Sequence, residues 1–180
     1  KDAAARALLA DLGAEVLAPH GLIMTPDDTA AAAPLPQADL YILLTASFSD
    51  SSPAMTLLAD VPGPVLLWSF REPGAVGERL LLNSMCGANL AAHALRTVGQ
   101  SVRHLHGNPE EPAVREALAS ALTGQLPSDV APAPVHGEMA DEAEVAAALA
   151  GLRGRRLGAI GDAPTGFTPC EYHAAKLARV

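Results

Sequence analysis

Short apolar runs alternate along the chain with longer segments in which apolar residues recur at helical spacing. The run at 38–45 is apolar on both faces, which is typical of a central strand in a parallel sheet. Gly and Pro residues bound most of the runs. These runs predict strands at residues 14–17, 38–45, 65–70, 102–106 and 157–160. The other segments predict helices at residues 2–12, 25–33, 50–60, 83–99, 109–124, 140–152 and 171–180.

The alternation of strands and helices predicts an α/β fold. Each connection is long enough for a right-handed crossover, which predicts a doubly wound, open parallel sheet in three α/β/α layers, of the flavodoxin or Rossmann type. A strand precedes the first helix in such a sheet, so we expect a first strand that is missing here and lies upstream. Glycines near residues 151–154 predict a boundary between an N-terminal α/β domain, 1–152, and the truncated start of a second α/β domain, 153–180.

Composition and charge exclude several classes of protein. The 180 residues are 49% hydrophobic and 18% charged, which is not the composition of a disordered chain. The net charge is −8 and no stretch is rich in Lys and Arg, which argues against nucleic acid and anionic membranes as partners. No apolar run approaches the roughly 20 residues of a membrane span, no secretory signal is visible, and two cysteines make no disulfide framework. We therefore expect a soluble, cytoplasmic protein.

Aromatic residues are scarce, and several lie at predicted strand ends. Ligands of open parallel sheets bind at the carboxyl ends of the strands, where Phe48, Trp68, Phe70 and Phe167 are found. An aromatic face at such an end can pack against a sugar ring, which makes Phe48, Trp68 and Phe167 candidate substrate-binding residues. The competing interpretation is that Trp68 and Phe70 alternate on one strand and one of them simply fills the core.

The segment 83–89, which contains two asparagines and a serine at a helix start, is the most unusual local string. Asn83 and Ser84 suit either the binding of sugar hydroxyls or helix capping. Cys86 near the helix start is a weak candidate nucleophile, since no base is paired with it locally.

Three carboxylates follow predicted strands. Asp50, Glu72 and Asp162 could supply a general acid and base, but the sequence does not show that they converge, and caps or solvated loops are the competing interpretation.

Two histidines alternate on one predicted strand. His104 and His106 share a face and could join His136 at a metal, although an H-x-H pair alone is a weak signal. We therefore predict no catalytic and no metal-binding residue within the chain.

The order of several segments resembles the N-terminal region of L-fucose isomerase-like proteins, which belong with the L-fucose and L-arabinose isomerases. The resemblance covers most of the chain and is sharpest in the segment 83–89. It is carried by residues 43–50, 64–68, 79–93, 155–161 and 166–167.

The resemblance implies a ketol isomerase that interconverts an aldose and a ketose through an ene-diol. It also implies a divalent metal, usually manganese, held by two acidic residues and a histidine of later domains, and nothing in this chain matches those ligands. In that family the N-terminal domain packs against a neighbouring subunit and lends it aromatic contacts. Phe48 and Trp68 correspond to such contacts by position, and Phe167 lies where the second domain begins. Asn83 and Ser84 are added on physical grounds alone.

Two hypotheses of function follow. The first is the substrate-covering and oligomerisation domain of an L-fucose- or L-arabinose-type isomerase, inactive alone because the metal-binding catalytic half is absent, with a sugar as substrate and a homo-oligomer as assembly. The alternative is a non-catalytic module of flavodoxin-like fold that binds a small polyol or a nucleotide.

Overall fold

The computed structural model describes residues 1–17, 21–74, 77–128, 141–156, 158, 160–172 and 174–177. Its three strands are β1 (Tyr41–Thr45), β2 (Val65–Ser69) and β3 (Val102–His106). The helices are α1 (Asp2–Asp11), α2 (Pro26–Ala32), α3 (Ser52–Leu58), α4 (Ser84–Thr97), α5 (Pro112–Leu122), α6 (Glu142–Leu152) and α7 (Ala174–Leu177), with a 3-10 turn at Thr168–Cys170.

The three strands form one parallel sheet in the order β1-β2-β3. Tyr41 is opposite Val65, and Val65 is opposite Val102, so the carboxyl ends of all three strands lie along one rim. Successive strands are joined by α3 and α4, as expected for right-handed crossovers. The predicted α/β class and parallel sheet are confirmed.

Helices cover both faces of the sheet. On one face, α2, α3 and α4 pack on residues such as Val65, Leu67 and Val102. On the other face, α1 and α5 pack on Leu66, Trp68 and other residues. Full burial of an aliphatic or aromatic side chain contributes about 1.5–3 kcal/mol, so these two apolar layers account for most of the attraction between helices and sheet.

Capping residues explain where several helices begin. Thr25 and Asp28 form a capping box at the start of α2, with Pro26 as the first helical residue. Asp141 accepts a hydrogen bond from the Ala143 N–H at the start of α6. None of the described side chains of α6 is buried, so α6 adds nothing to the two apolar layers.

Some predicted elements differ from the structure. Residues 14–17 are irregular and not a strand, because no described segment pairs with them; Val16 and Leu17 are 39% and 47% exposed. The strand predicted at 157–160 falls partly on residues outside the described part, and the helix predicted at 171–180 is described only as Ala174–Leu177. The domain boundary at 152/153 stays a prediction.

Candidate functional site

The carboxyl rim of the sheet carries the candidate site. We use the term carboxyl rim for residues 46–50, 70–72, 81–84, 107–111 and 164–170, which follow the three strands or fold back onto them. Five residues were predicted to bind substrate. Three of them lie on the rim and have some exposed surface: Phe48, Asn83 and Phe167.

Phe48 and Phe167 form an aromatic pair on the rim. Their ring centroids are 5.9 Å apart and the rings are inclined by 44°. Phe48 is 43% exposed and Phe167 is half-buried, so the pair presents part of its surface to the outside. The Phe48 N–H donates to the Leu82 carbonyl at 2.7 Å, which fixes the loop that carries the exposed ring. Such a pair offers an apolar face of the kind that packs against the C–H side of a sugar.

The segment that carries Phe167 is tied to the start of α3. The N–H and the Oγ of Ser51 both donate to the Gly166 carbonyl, at 3.0 and 2.6 Å. The Asp50 carboxylate accepts from the Ser52 N–H at 2.7 Å, so Asp50 caps the first turn of α3. A second tie joins His93 Nδ1 of α4 to the Thr168 hydroxyl at 2.7 Å.

Glu72 organises the loop before α4. Its carboxylate accepts hydrogen bonds from the N–H groups of Leu81, Leu82 and Asn83. The Leu82 N–H has the largest effect and lowers the pKa of Glu72; burial opposes it, and the N–H groups of Leu81 and Asn83 lower the pKa further. Glu72 is therefore ionised at neutral pH and holds a loop rather than serving as a general acid.

Asn83 is held in an unusual backbone conformation by this loop. Its φ is +50°, in the left-handed region that asparagine tolerates better than most residues. Its side chain makes no capping hydrogen bond to α4, and it has no hydrogen-bond partner among the described residues. Its amide is half-buried at the rim, where it could donate to and accept from the hydroxyl of a ligand.

Trp68 and Ser84 are interior residues. Trp68 has no exposed surface, and its indole N–H donates to the Gly107 carbonyl at 2.9 Å. The Ser84 hydroxyl donates to the Thr45 carbonyl and accepts from the Phe70 N–H, which joins α4 to two strand ends. Because a ligand cannot reach side chains without exposed surface, we leave both out of the candidate site. The sequence pattern placed Trp68 near a strand end but could not show whether its side chain is exposed at the rim or buried under a helix layer.

The rim also contains an ion pair that sequence reasoning missed. The Arg71 guanidinium donates to both carboxylate oxygens of Glu111, at 2.7 and 2.9 Å. That hydrogen bonding, together with the Asn108 N–H, lowers the pKa of Glu111 to about 2. Arg71 and Glu111 are 40 residues apart in the sequence and are brought together by the sheet. The local sequence indicated only that Asn108, three residues before Glu111, could bond to its carboxylate.

A second missed feature is a serine between two imidazoles. The Ser69 hydroxyl is hydrogen-bonded to His104 Nε2 at 2.8 Å and to His106 Nδ1 at 2.9 Å. Burial lowers the pKa of both histidines, with further contributions from neighbouring positive charge, so both imidazoles are neutral at neutral pH. The prediction that His104 and His106 share one face is correct. In the structure both imidazoles are hydrogen-bonded to Ser69.

The remaining candidates are not among the residues of the carboxyl rim. Cys86 and Asp162 are exposed, and His136 lies outside the described residues. Among the described side chains, no three His, Cys, Asp or Glu residues come together in a way that could hold a metal ion. Nor does any described helix have the length and apolar character to cross a membrane.

Comparison with curated proteins identifies several relatives. The chain is 40% identical over 106 residues to a protein of Alkalicoccus urumqiensis, a match that covers 57% of this chain and 23% of the relative. It is 30% identical over 129 residues to a protein of Priestia megaterium, covering 72% and 24%. It is 32% identical over 116 residues to a protein of a Clostridium species, covering 64% and 26%.

All three relatives are named sulfoquinovose isomerase. The resemblance stated above therefore agrees with them at the level of a sugar isomerase, while the narrower L-fucose and L-arabinose names do not appear among these three. The matches span about a quarter of the length of the relatives. No family model matches the chain, and no solved structure matches it.

Proposed function

We propose that this chain is part of an aldose–ketose isomerase and that its carboxyl rim covers the sugar during the reaction. The similarity to three proteins named sulfoquinovose isomerase supports the reaction class. The single structural observation that supports a sugar at the rim is the pair of Phe48 and Phe167, which presents part of its surface to the outside. The Phe48 loop is bonded to Leu82, and the side chain of the next residue, Asn83, has no hydrogen-bond partner among the described residues. In this proposal sulfoquinovose, rather than L-fucose or L-arabinose, is the first sugar to test.

The rim residues would bind and orient rather than react. The aromatic pair would pack against the C–H side of an extended sugar, and the Asn83 amide would bond one of its hydroxyls. Covering the sugar would also exclude water from an ene-diol intermediate. Glu72 and Glu111 are each engaged by the protein's own donors, so neither is offered as the base that moves the proton.

The divalent metal of the proposed isomerase does not fit the described residues of this chain. Manganese is bound by oxygen and nitrogen ligands, and no suitable cluster of His and carboxylate side chains exists among the side chains described. We propose that the metal and the reacting carboxylates belong to other parts of the protein, and that the rim faces them within a homo-oligomer.

The test uses the whole protein that contains this chain, purified with manganese. Conversion of sulfoquinovose, L-fucose and L-arabinose to their ketoses is measured for the parent and for Phe48→Ala. Loss of an aromatic contact worth about 1.4 kcal/mol raises KM about tenfold, with kcat less affected. Phe48→Tyr, which keeps the ring, should restore KM.

Val98→Ala is the matched control, because Val98 is also an exposed apolar residue but lies after the far end of α4. An unchanged KM in Phe48→Ala would remove the rim from the proposal. No conversion of any aldose by the parent would remove the isomerase. Binding of a sugar without conversion would favour the alternative, a non-catalytic binding module.

A further inference from the structure

Helix α6 is an apolar helix without a covering layer. Only two of its 11 residues, Glu142 and Glu144, are polar, and the others are Ala, Val, Leu and Gly. A helix that is apolar on nearly all sides is normally buried. None of the described side chains of α6 is buried, so the described part of the chain does not supply the apolar contacts that such a helix normally makes.

The large apolar side chains of α6 form a single stripe. Val145, Leu149 and Leu152 are spaced by four and three residues, which places them on one face of the helix. They are 45%, 42% and 57% exposed. Single apolar residues are common on protein surfaces, but aligned ones mark interaction sites, so this stripe indicates a docking surface.

Charged residues of opposite sign flank the stripe. Three acidic residues stand at the start of α6 and three arginines follow its last residue: Asp141, Glu142, Glu144, Arg153, Arg155 and Arg156. The Arg155 Nε donates to the Gly151 carbonyl at 3.1 Å, which keeps this guanidinium beside the last turn of the helix. None of the six forms an ion pair with another described residue. Their charges are therefore available to a partner.

The stripe and the charges are symmetric about one point of α6. This point, between residues 148 and 149, lies halfway between Val145 and Leu152. Each acidic residue has an arginine at the same distance on the other side of it: Glu144 and Arg153, Glu142 and Arg155, Asp141 and Arg156. A second copy of α6 laid antiparallel across this point therefore places Val145 against Leu152 and each acidic residue against an arginine, whereas a parallel copy would oppose like charges. Antiparallel helices also bring opposite ends of their dipoles together.

We propose that α6 is the pairing surface for a second copy of this chain, with the two helices antiparallel and a two-fold axis between residues 148 and 149. The contact is isologous, so the acidic start of each helix lies beside the arginines of the other. A helix of 11 residues is about 16 Å long, which is too short to bury the roughly 800 Å² per partner of a stable interface, and we expect a reversible dimer. This pairing depends on neither the carboxyl rim nor the isomerase reaction.

The test measures self-association of the 180-residue chain by sedimentation equilibrium. Concentrations extend to about 0.5 mM, the range in which weak dimers form. The dimer should weaken at least about tenfold in Glu144→Arg and in Arg153→Glu, because each reversal replaces two attractive pairs of the dimer by repulsive ones. An equimolar mixture of the two variants should regain the affinity of the parent, since each then faces the opposite charge.

Glu116→Arg is the matched control. Glu116 is an exposed residue of α5, and its reversal changes the net charge of −8 by the same amount as Glu144→Arg. This variant should dimerise as tightly as the parent or more tightly, because a lower net charge reduces repulsion between copies. Urea unfolding at low concentration checks that the α6 variants remain folded, as expected for a helix without a buried side chain.

Loss of the dimer in both reversals, with its return on mixing, supports the proposal. A parent chain that stays monomeric at every concentration overturns it. A dimer that neither reversal weakens also overturns it, because another surface then joins the copies. Equal weakening in Glu116→Arg does the same, because total charge rather than α6 then controls association.

Discussion

At the scale of single residues, Ser69 shows how a strand end can hold two histidines neutral. A hydroxyl donates one hydrogen bond, so at most one of His104 and His106 accepts its proton while the other donates to it. Protonation of both imidazoles would remove the accepting partner and place two positive charges within one cluster, with Arg96 and Arg71 nearby. The pair therefore stabilises the fold only while it is uncharged.

This arrangement predicts a loss of stability in mild acid. The pKa of each histidine is lowered in the folded state, so the unfolded state binds more protons below about pH 6.5. Stability is complete above that pH and falls as the pH drops toward the lower folded-state pKa. Urea unfolding between pH 8 and pH 5 should show this fall, and His104→Gln should flatten it.

His93→Gln is the control, because His93 is exposed on α4 and is hydrogen-bonded to Thr168 rather than to Ser69. Its unfolding profile should keep the slope of the parent below pH 6.5. A slope that is equally steep in His104→Gln would assign the acid sensitivity to other groups.

At the scale of elements, the strands were more predictable than the contacts between loops. The apolar run at 65–69 is buried along its whole length, so pattern alone located it. The strand at 102–106 carries Arg103, His104 and His106 and is fully buried only at Val102 and Leu105. The segment 14–17 has no described partner and stays irregular. The pair of Phe48 and Phe167 depends on a segment that folds back over a long stretch of chain, and local spacing carries no signal for that contact.

Gly87 determines how closely α4 approaches the loop after β1. A Cβ at this position would lie 3.0 Å from the Ser49 nitrogen and 3.1 Å from the Ser47 oxygen, both main-chain atoms. The loop cannot retreat freely, because the Phe48 N–H is bonded to the Leu82 carbonyl. Gly87→Val should lower the free energy of unfolding by about 1–3 kcal/mol, the usual cost of overpacking.

The matched substitution is Gly151→Val in α6, where a Cβ meets nothing within 4 Å. Chemical denaturation should give this variant the stability of the parent or slightly more, since glycine is a poor helix former. Equal effects of the two substitutions would mean that helix propensity, rather than contact with the loop, decides the result.

At the scale of the whole molecule, the rim is assembled from distant parts of the chain. Residues after β1, the start of α3, the middle of α4 and the segment 164–170 meet there through Ser51, Gly166, His93 and Thr168. The aromatic pair exists only while this assembly holds, so the candidate site is a property of the folded chain rather than of any one motif. Gly166 has a left-handed backbone conformation, with φ +78°, and no side chain. Both properties contribute to that assembly.

Gly166→Ala tests whether the docked segment is essential to the rim. An added Cβ would lie 2.5 Å from the Asp50 carboxylate, so the segment must move away and release the hydrogen bond between the Ser51 N–H and the Gly166 carbonyl. Amide exchange at Ser51 should accelerate at least about tenfold as that bond opens.

Gly161→Ala separates this effect from backbone strain, because Gly161 has φ +79° and a Cβ at Gly161 would meet nothing within 4 Å. Both variants pay the same conformational penalty of roughly 1 kcal/mol, but only Gly166→Ala should free Ser51 and, in the whole protein, raise the KM for the sugar. Faster exchange at Ser51 in both variants would trace the effect to strain, and unchanged exchange in Gly166→Ala would show that the segment does not dock through this bond.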